Sequence, residues 1–139
     1  MTNFDFVVVG SGLAGLSFAL RVPEKMSVAI ITKGKMEDAN SYYAQGGIAA
    51  SPLSESDSIE KHIQDTIKAG DGLCNVEMVR TIISESKACI KELIEWGVEF
   101  DKDDGLFHLT REGGHSERRI LHKGDGTGAE IQRKLIDRV

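Results

Sequence analysis

Six residues near the amino end have types and spacing that suit phosphate binding. In a G-x-G-x-x-G element, the first glycine permits a tight turn and the second lets a pyrophosphate approach the backbone. The third lets the following helix pack closely against the strand, and the unpaired N–H groups at the start of that helix favour phosphates. A plain glycine turn is the alternative, but the element lies between a predicted strand and a predicted helix. We therefore predict a dinucleotide-phosphate site formed by Gly10, Ser11, Gly12, Leu13, Ala14 and Gly15.

The end of the second predicted strand lacks the acidic residue that NAD-binding proteins use there. An acidic side chain about 20 residues after the glycine turn normally holds the ribose hydroxyls, whereas this chain has Thr32 and Lys33. This difference argues against NAD. A hydroxyl and a cation suit the adenosine half of another dinucleotide, or its phosphates, and we predict that Lys33 binds the cofactor.

A loop rich in glycine and tyrosine follows, with the sequence SYYAQGGIAA from Ser41 to Ala50. Adjacent glycines let backbone N–H groups approach a flat ring system, and Gln45 supplies donors and an acceptor for a ring edge. A surface loop with two glycines is the alternative, but it would not require two tyrosines and Ala-Gln beside them. The segment resembles the flavin-contacting loop of the family that contains L-aspartate oxidase, fumarate reductase and succinate dehydrogenase. The resemblance implies that FAD is bound by Asn40, Ser41, Tyr42, Tyr43, Ala44, Gln45, Gly46 and Gly47.

The position of Asn40 bears on how the flavin is held. In the dehydrogenase and fumarate reductase branches of that family, a histidine in this loop carries the flavin covalently, and Asn40 occupies the matching position here. An amide cannot form that bond. The resemblance therefore implies non-covalent FAD and favours the L-aspartate oxidase branch.

The most specific stretch is HLTREGGHSERRILH, which runs from His108 to His122. It resembles the corresponding segment of the L-aspartate oxidase family nearly residue for residue, and its continuation from Asp125 to Gly128 resembles the wider flavoprotein group. The resemblance implies that Glu112 faces the amino group of the substrate. A carboxylate would pair with the ammonium of aspartate, which succinate does not have.

The same stretch carries four basic residues (Arg111, Arg118, Arg119 and Lys123) against two acidic ones. This locally positive patch suits an anionic dicarboxylate or phosphates, while surface ion pairing is the alternative for each arginine. Histidines recur at a spacing of seven, but no carboxylate or thiol completes a ligand set of recognised spacing. We therefore predict no metal site.

The resemblance as a whole implies an FAD-dependent oxidoreductase that converts L-aspartate to iminoaspartate, with oxygen or fumarate as electron acceptor and quinolinate and NAD synthesis downstream. It implies quinolinate synthase as a protein partner. Residues 1–139 would form the amino-terminal part of an FAD-binding domain, with substrate-capping and helical domains and the main catalytic residues after Val139. The alternatives are a fumarate reductase or succinate dehydrogenase flavoprotein, which Asn40 and the Glu112 segment disfavour, and a nucleotide-binding module without catalysis.

Composition excludes several other classes of protein. A formal net charge of -5 argues against a nucleic-acid-binding domain, which is usually basic along one face. The chain has no run of about 18 apolar residues that could cross a membrane, and Phe4 to Val9 is too short, and too interrupted by Asp5, for a secretory signal. Cys74 and Cys89 form no close pair, so we expect reduced thiols packed as small apolar groups and a cytoplasmic location.

The residues that would position these sites predict an α/β fold. Apolar, β-branched stretches at 4–9 and 27–32 favour buried parallel strands, and residues 13–21 between them favour a helix. This is the βαβ start of a Rossmann-like FAD-binding domain, a doubly wound parallel sheet that is incomplete at its carboxyl end. The last residues, 128–139, favour a helix without a stop signal, so we expect a fragment of a longer protein.

Helices and short strands are predicted between these elements. Asp57 with Glu60 has the pattern of an N-cap box, and Asn75 is predicted to cap a longer helix that ends at Gly97. His62 is expected to be exposed on the first of these helices. Residues 98–100 and 106–109 favour two strands, and the acidic segment between them is interpreted as a solvated turn rather than a calcium loop.

Overall fold

The computed structural model describes residues 2–139. Strand β1 (Phe6–Val9) and strand β2 (Val28–Ile31) pair in parallel, with Phe6 opposite Val28 and Val9 opposite Ile31. Helix α1 (Leu13–Arg21) connects them and ends where Val22 takes an extended conformation before Pro23. The predicted parallel βαβ start is confirmed.

Burial along this pair is less complete than the sequence predicts. Val7, Val9 and Ile31 are 57%, 84% and 55% exposed, so the prediction of buried strands was wrong for these side chains. The other side packs, because Leu16 of α1 is fully buried and Leu13, Leu20 and Ile30 lie against the core. Within residues 2–139, the sheet therefore has one covered face.

A small antiparallel sheet lies next to this unit. Strand β7 (Ile120–Leu121) is its centre and pairs with β3 (Ile48–Ala49) on one side and β6 (Leu109–Thr110) on the other. The sequence analysis missed β3 and β7, since two residues are too few to show a period. Strands β4 (Lys102–Asp103) and β5 (Leu106–Phe107) form a hairpin, and both residues of its turn, Asp104 and Gly105, have positive φ. Residues 98–100 form no strand, contrary to prediction, although Val98 and Phe100 are buried.

Three further helices complete the architecture. Helix α2 (Ile59–Ala69) is capped by Ser58, whose hydroxyl accepts from the Lys61 N–H, so the predicted Asp57 cap was wrong. Helix α3 (Val76–Glu95) is capped by Asn75, as predicted, and Gly97 follows it at φ +97°. Helix α4 (Thr127–Arg138) packs against α1.

The core joins α1, the end of α3, β7 and α4. Its buried apolar residues are Leu16, Ala50, Ile90, Leu93, Val98, Phe100, Leu121, Ile131 and Leu135. Cys89 is exposed and Cys74 partly so, contrary to the expectation that both pack as apolar groups. None of the helices in the described residues is long and apolar enough to span a membrane.

Candidate functional site

The glycine turn after β1 has the geometry that its sequence predicts. Gly10 has a φ of +109°, which L side chains rarely adopt. Gly15 has no room for a side chain, because a β-carbon there would overlap the Gly10 carbonyl oxygen and lie 3.1 Å from Val8 Cγ1. The first glycine thus turns the chain, and the third lets α1 rest directly on the turn.

The start of α1 presents its backbone to the space above the turn. Gly12 caps the helix without a side-chain hydrogen bond, and the Leu13 N–H donates to Ser41 Oγ at 3.2 Å. Apart from its own chain neighbours, the nearest atom to a β-carbon on Gly12 would be Ser41 Oγ, at 3.6 Å. The Leu13 N–H is thus bonded to Ser41, while the space beside Gly12 stays open for phosphate oxygens, which the helix dipole favours.

A cavity of about 410 Å³ opens beside this turn and extends past the end of β2. It brings together predicted cofactor residues from three segments: the turn, Lys33 and Asn40. Ser11 Oγ donates to Thr32 Oγ1 at 3.2 Å across the first two segments. The lining residues are Val9, Gly10, Ser11, Gly12, Ile31, Thr32, Lys33, Asp38, Ala39 and Asn40.

The cavity also contains a carboxylate, Asp38, that the sequence analysis missed. The usual spacing places an acidic residue at the end of β2, whereas Asp38 lies in the following loop, where its Oδ2 accepts from the Lys35 N–H at 3.2 Å. The conformation of the loop after β2 places Asp38 in the cavity, so no fixed spacing from the glycine turn predicts its position. Asp38 and Thr32 both supply acceptors that suit ribose hydroxyls.

A second missed residue, Gln132, lies beneath the turn. Its side chain is fully buried in α4, and its Nε2 donates to the backbone oxygens of Ser11 and Met36, at 2.5 and 3.0 Å. It thereby ties the glycine turn to the loop after β2. Helical spacing could have predicted that Gln132 is buried, since Gly128, Ile131 and Leu135 lie on the same buried face of α4.

The predicted flavin loop is held from below by β7 and α4. Gly47 has a φ of +109°, and a β-carbon there would lie 2.6 Å from Ile120 Cγ2 and from the Leu121 oxygen. The Gly128 N–H, at the start of α4, donates to the Ala44 oxygen at 2.9 Å. Above this support, the loop is exposed from Tyr43 to Gly47. A flat ring could therefore stack on its backbone.

The tyrosines occupy one end of this loop. Tyr42 and Tyr43 pack edge to face with ring centroids 5.4 Å apart, and the Arg133 guanidinium lies 6.0 Å from the Tyr42 ring. Tyr43 is 67% exposed. Leu13 and Ala14, by contrast, belong to α1 and contribute backbone rather than side-chain functional groups.

Glu112 lies against the flavin loop, although 66 positions separate it from Gly46 in the sequence. Its Oε1 is 2.9 Å from the place where a β-carbon on Gly46 would stand. Across residues 2–139, no basic side chain lies within 4.0 Å of the Glu112 carboxylate, so Glu112 forms no ion pair with its neighbour Arg111. The fold thus joins the residue predicted to select the substrate to the loop predicted to contact the flavin.

Arg119 is fully buried rather than on the surface, so surface ion pairing was the wrong interpretation for it. Its Nη2 and Nε donate to the two oxygens of Asp57 at 2.7 and 3.1 Å, and its Nη1 donates to Asp65 Oδ2 at 2.5 Å. Burial works against the charge on Arg119, but these hydrogen bonds outweigh it and raise the Arg119 pKa. Such a paired geometry is what a buried cation requires.

Two histidines border this buried cation. His115 Nδ1 lies 3.3 Å from Arg119 Nη1 and must accept, because a guanidinium has only donors. His62 is buried, contrary to the prediction of exposure, and its Nδ1 lies 3.0 Å from the Ser51 hydroxyl. Burial first, and the charge of Arg119 second, lower the pKa of His62. The surroundings of His62 therefore favour its neutral imidazole.

The residues present fit FAD. The open space at Gly12, at the start of α1, suits a pyrophosphate. The cavity beside Thr32 and Asp38 suits a ribose, and the exposed backbone from Tyr43 to Gly47 suits a flat ring. Asn40 lines the cavity as an amide, which offers hydrogen bonds but no nucleophile for a covalent flavin link.

Comparison with known proteins agrees with this geometry. The chain is 54% identical over 137 residues to the chloroplastic L-aspartate oxidase of rice, Oryza sativa subsp. japonica. The match covers 98% of this chain and 21% of the rice protein. It is 50% identical over 139 residues to the L-aspartate oxidase of Vibrio cholerae, covering 96% of this chain and 26% of that protein. The chain therefore spans about a quarter of the length of these relatives.

The fold is similar to that of a solved quinol-fumarate reductase with menaquinol molecules, with a TM-score of 0.88 and 29% identity over 99% of this chain and 25% of that one. The family model for the FAD binding domain matches residues 5–139. On these grounds the chain belongs to the FAD-binding domain family, and its predicted α/β FAD-binding fold is confirmed.

Proposed function

We propose that this chain is the amino-terminal part of an FAD-binding domain in an enzyme that oxidises L-aspartate to iminoaspartate. Relatives named L-aspartate oxidase are about half identical to it along nearly its whole length, which supports this proposal. The observation that carries it is the position of the Glu112 carboxylate, 2.9 Å from the β-carbon site of Gly46. A negative oxygen at that place suits a substrate that brings an ammonium group to the flavin.

Each part of the chain has a separate task in this scheme. FAD, when bound, supplies the acceptor for the hydride that leaves the α-carbon. Gly10 to Gly15 and Lys33 bind its phosphates, while the residues from Asn40 to Gly47 position its ring. Glu112 binds the ammonium of aspartate and so orients the α-carbon toward that ring. The groups that bind the two substrate carboxylates and move protons belong to the proposed capping and helical domains.

Substrate choice follows from charge. Aspartate, succinate and fumarate all carry two carboxylates, so contact with the ammonium is what separates aspartate from the others. A charge-assisted hydrogen bond of this kind contributes about 1.5–3 kcal/mol. The loss of that bond corresponds to about a ten- to hundred-fold fall in kcat/KM.

The test is the variant Glu112→Gln in the full-length enzyme, which keeps shape and a carbonyl acceptor but removes the charge. Aspartate oxidation should fall about ten- to hundred-fold while fumarate reduction is largely kept. Glu60→Gln is the matched control, because Glu60 is an exposed carboxylate on the outer side of α2 that pairs with Arg80. Parallel loss of both activities in Glu112→Gln would remove Glu112 from substrate selection.

The cofactor is proposed to be non-covalent because Asn40 lines the cavity. Acid precipitation of the full-length protein should release the yellow colour into the supernatant. Colour retained in the pellet would point to a covalent link and to the fumarate reductase or succinate dehydrogenase alternative.

Oxygen or fumarate is proposed as electron acceptor, and quinolinate synthase as the partner that consumes iminoaspartate. A reducing compartment fits the free thiols Cys74 and Cys89, and we propose the cytoplasm. The relatives from rice and tobacco are chloroplastic by name, so a plastid is the corresponding location in a plant. Hydrogen peroxide formation from aspartate in air, compared with succinate formation when fumarate is supplied without air, identifies the acceptor.

A further inference from the structure

The segment that carries Glu112 forms a loop between β6 and β7. At its base, the Arg119 N–H donates to the Thr110 oxygen at 3.2 Å. Within it, the His115 backbone N–H donates to the backbone carbonyl oxygen of Glu112 at 3.2 Å, which closes a turn, and Gly114 has a φ of +87°. Glu112 is exposed, and among residues 2–139 its side chain forms no hydrogen bond or ion pair, so its position depends on what holds this turn.

The hold comes from helix α2. Asp65 Oδ2 accepts from both the backbone N–H and the hydroxyl of Ser116, at 2.7 and 2.8 Å, and from Arg119 Nη1 at 2.5 Å. Ser116 follows the Glu112 turn directly. Asp65 Oδ2 thus binds Ser116, just after the Glu112 turn, and also Arg119, the residue at the end of the loop.

Two further contacts make this attachment rigid. Asp57 accepts hydrogen bonds from Nε and Nη2, the other two nitrogens of Arg119, so the guanidinium cannot rotate away from Asp65. The Gly114 backbone lies close to Ala69, since a β-carbon on Gly114 would stand 3.5 Å from Ala69 Cβ. Burial raises the pKa of Asp65, but hydrogen bonds from Ser116 and Arg119 outweigh it and lower that pKa to about 2. Asp65 is therefore charged throughout the physiological range.

We propose that Asp65 and Arg119 are positioning residues, which hold Glu112 over the flavin loop without touching the substrate themselves. This inference rests on the proposed function, because Glu112 is assigned to the substrate ammonium. It adds that the discrimination between aspartate and amine-free dicarboxylates depends on α2, a helix that lies outside the cofactor cavity.

The test uses Asp65→Asn in the full-length holoenzyme, with Glu60→Gln as a matched carboxylate-to-amide control on the same helix. Asp65→Asn should raise the KM for aspartate by about ten-fold, the value of one charge-assisted hydrogen bond. Fumarate reduction and the Kd for FAD should stay within about two-fold. An unchanged KM for aspartate, or an equal loss with fumarate, would overturn the proposal.

A double-mutant cycle separates positioning from a general loss of structure. If Asp65 acts through Glu112, then Asp65→Asn combined with Glu112→Gln should lose no more aspartate activity than Glu112→Gln alone. Additive losses would contradict the proposal. Arg119→Lys, which keeps the charge but not the forked contacts, should show the same substrate-dependent loss. If that variant does not fold, the Asp65 cycle decides.

Amide hydrogen exchange gives a readout that does not depend on aspartate turnover. Asp65→Asn should speed exchange across residues 111–118 and leave α1 and the glycine turn unchanged. If the wild-type enzyme does not oxidise aspartate, the proposed function fails, whereas the exchange result still decides whether Asp65 holds the loop. Unchanged exchange in residues 111–118 would defeat the positioning role by itself.

Discussion

The glycine turn and the Glu112 loop are held in place by opposite means. The turn owes its shape to the backbone: a positive φ at Gly10 and the absence of a side chain at Gly15 let α1 rest on it. The loop owes its shape to side chains, because Asp57 and Asp65 hold Arg119 across 62 and 54 positions of sequence. We call the turn with Gly10 and Gly15 the backbone device and the Asp57–Arg119–Asp65 cluster the side-chain device. The backbone device is local in sequence and recurs as a motif, while the side-chain device forms only once the chain has folded.

The largest expected effect comes from Arg119→Met, which would remove the centre of the side-chain device. It would leave Asp57, with a fully buried side chain, and Asp65 without their cation. The penalty for an uncompensated buried charge is about 3–5 kcal/mol. Urea denaturation at pH 7 should show this loss in the free energy of unfolding. Stability within about 1 kcal/mol of wild type would mean that water replaces the guanidinium at little cost.

Gly15→Ala tests the backbone device in the same way. The added β-carbon would overlap the Gly10 oxygen and lie 3.1 Å from Val8 Cγ1, so β1 and α1 must separate. Overpacking of this kind costs typically about 1–3 kcal/mol, and FAD binding should be lost with it. Thermal denaturation and FAD titration measure both effects. Wild-type stability with wild-type FAD affinity would show that the close contact is not needed.

Gly12→Ala should separate binding from folding. A β-carbon there would come no closer than 3.6 Å to protein atoms, so the protein itself should fold with unchanged stability. The methyl group would instead occupy the approach of the pyrophosphate, and FAD affinity should fall by about ten- to hundred-fold, or roughly 1.4–2.8 kcal/mol. Fluorescence titration with FAD checks the affinity. An unchanged Kd would place the phosphates away from Gly12.

This contrast explains what could be predicted from the sequence. Gly10 and Gly15 were found because their spacing follows from the chemistry of a phosphate turn. The helices at residues 13–21 and 76–95 were predictable from apolar periodicity and capping residues. Glu112 was predicted by resemblance alone, and local sequence patterns could not show that the fold places it beside Gly46.

The missed features depend on tertiary contacts. Arg119 has the sequence context of a surface residue, and only the fold places Asp57 and Asp65 around it. Strands β3 and β7 are two residues each and exist because Gly47 packs against Ile120. The exposed Val9 was predicted to be buried because an apolar strand does not reveal which of its faces a neighbour covers.

Acid should weaken the side-chain device before the backbone device. The pKa of Asp65 is lowered from 3.8 to about 2 in the folded protein, so its contribution is fully present above about pH 5 and disappears as pH falls toward 2. With the side chain 16% exposed and partly screened by solvent, this contribution is on the order of 1–2 kcal/mol. Urea titrations of wild type and Asp65→Asn should therefore differ at pH 6 and converge near pH 2. A constant difference would assign the effect of the variant to packing.

The smallest expected effect is that of Arg80→Met, which matches Arg119→Met in chemistry but removes an exposed arginine of α3 that pairs with Glu60 of α2. Arg80 Nη1 donates to Glu60 Oε2 at 3.0 Å, and the two side chains are 54% and 57% exposed. Water solvates both charges when the pair separates. The small electrostatic energy of the exposed pair is offset by the side-chain entropy that is lost when the pair forms. The urea midpoint should therefore not move measurably, and aspartate kinetics should match wild type. A loss comparable to that of Arg119→Met would mean that charge balance along α2 matters, rather than the buried contact with the Glu112 loop.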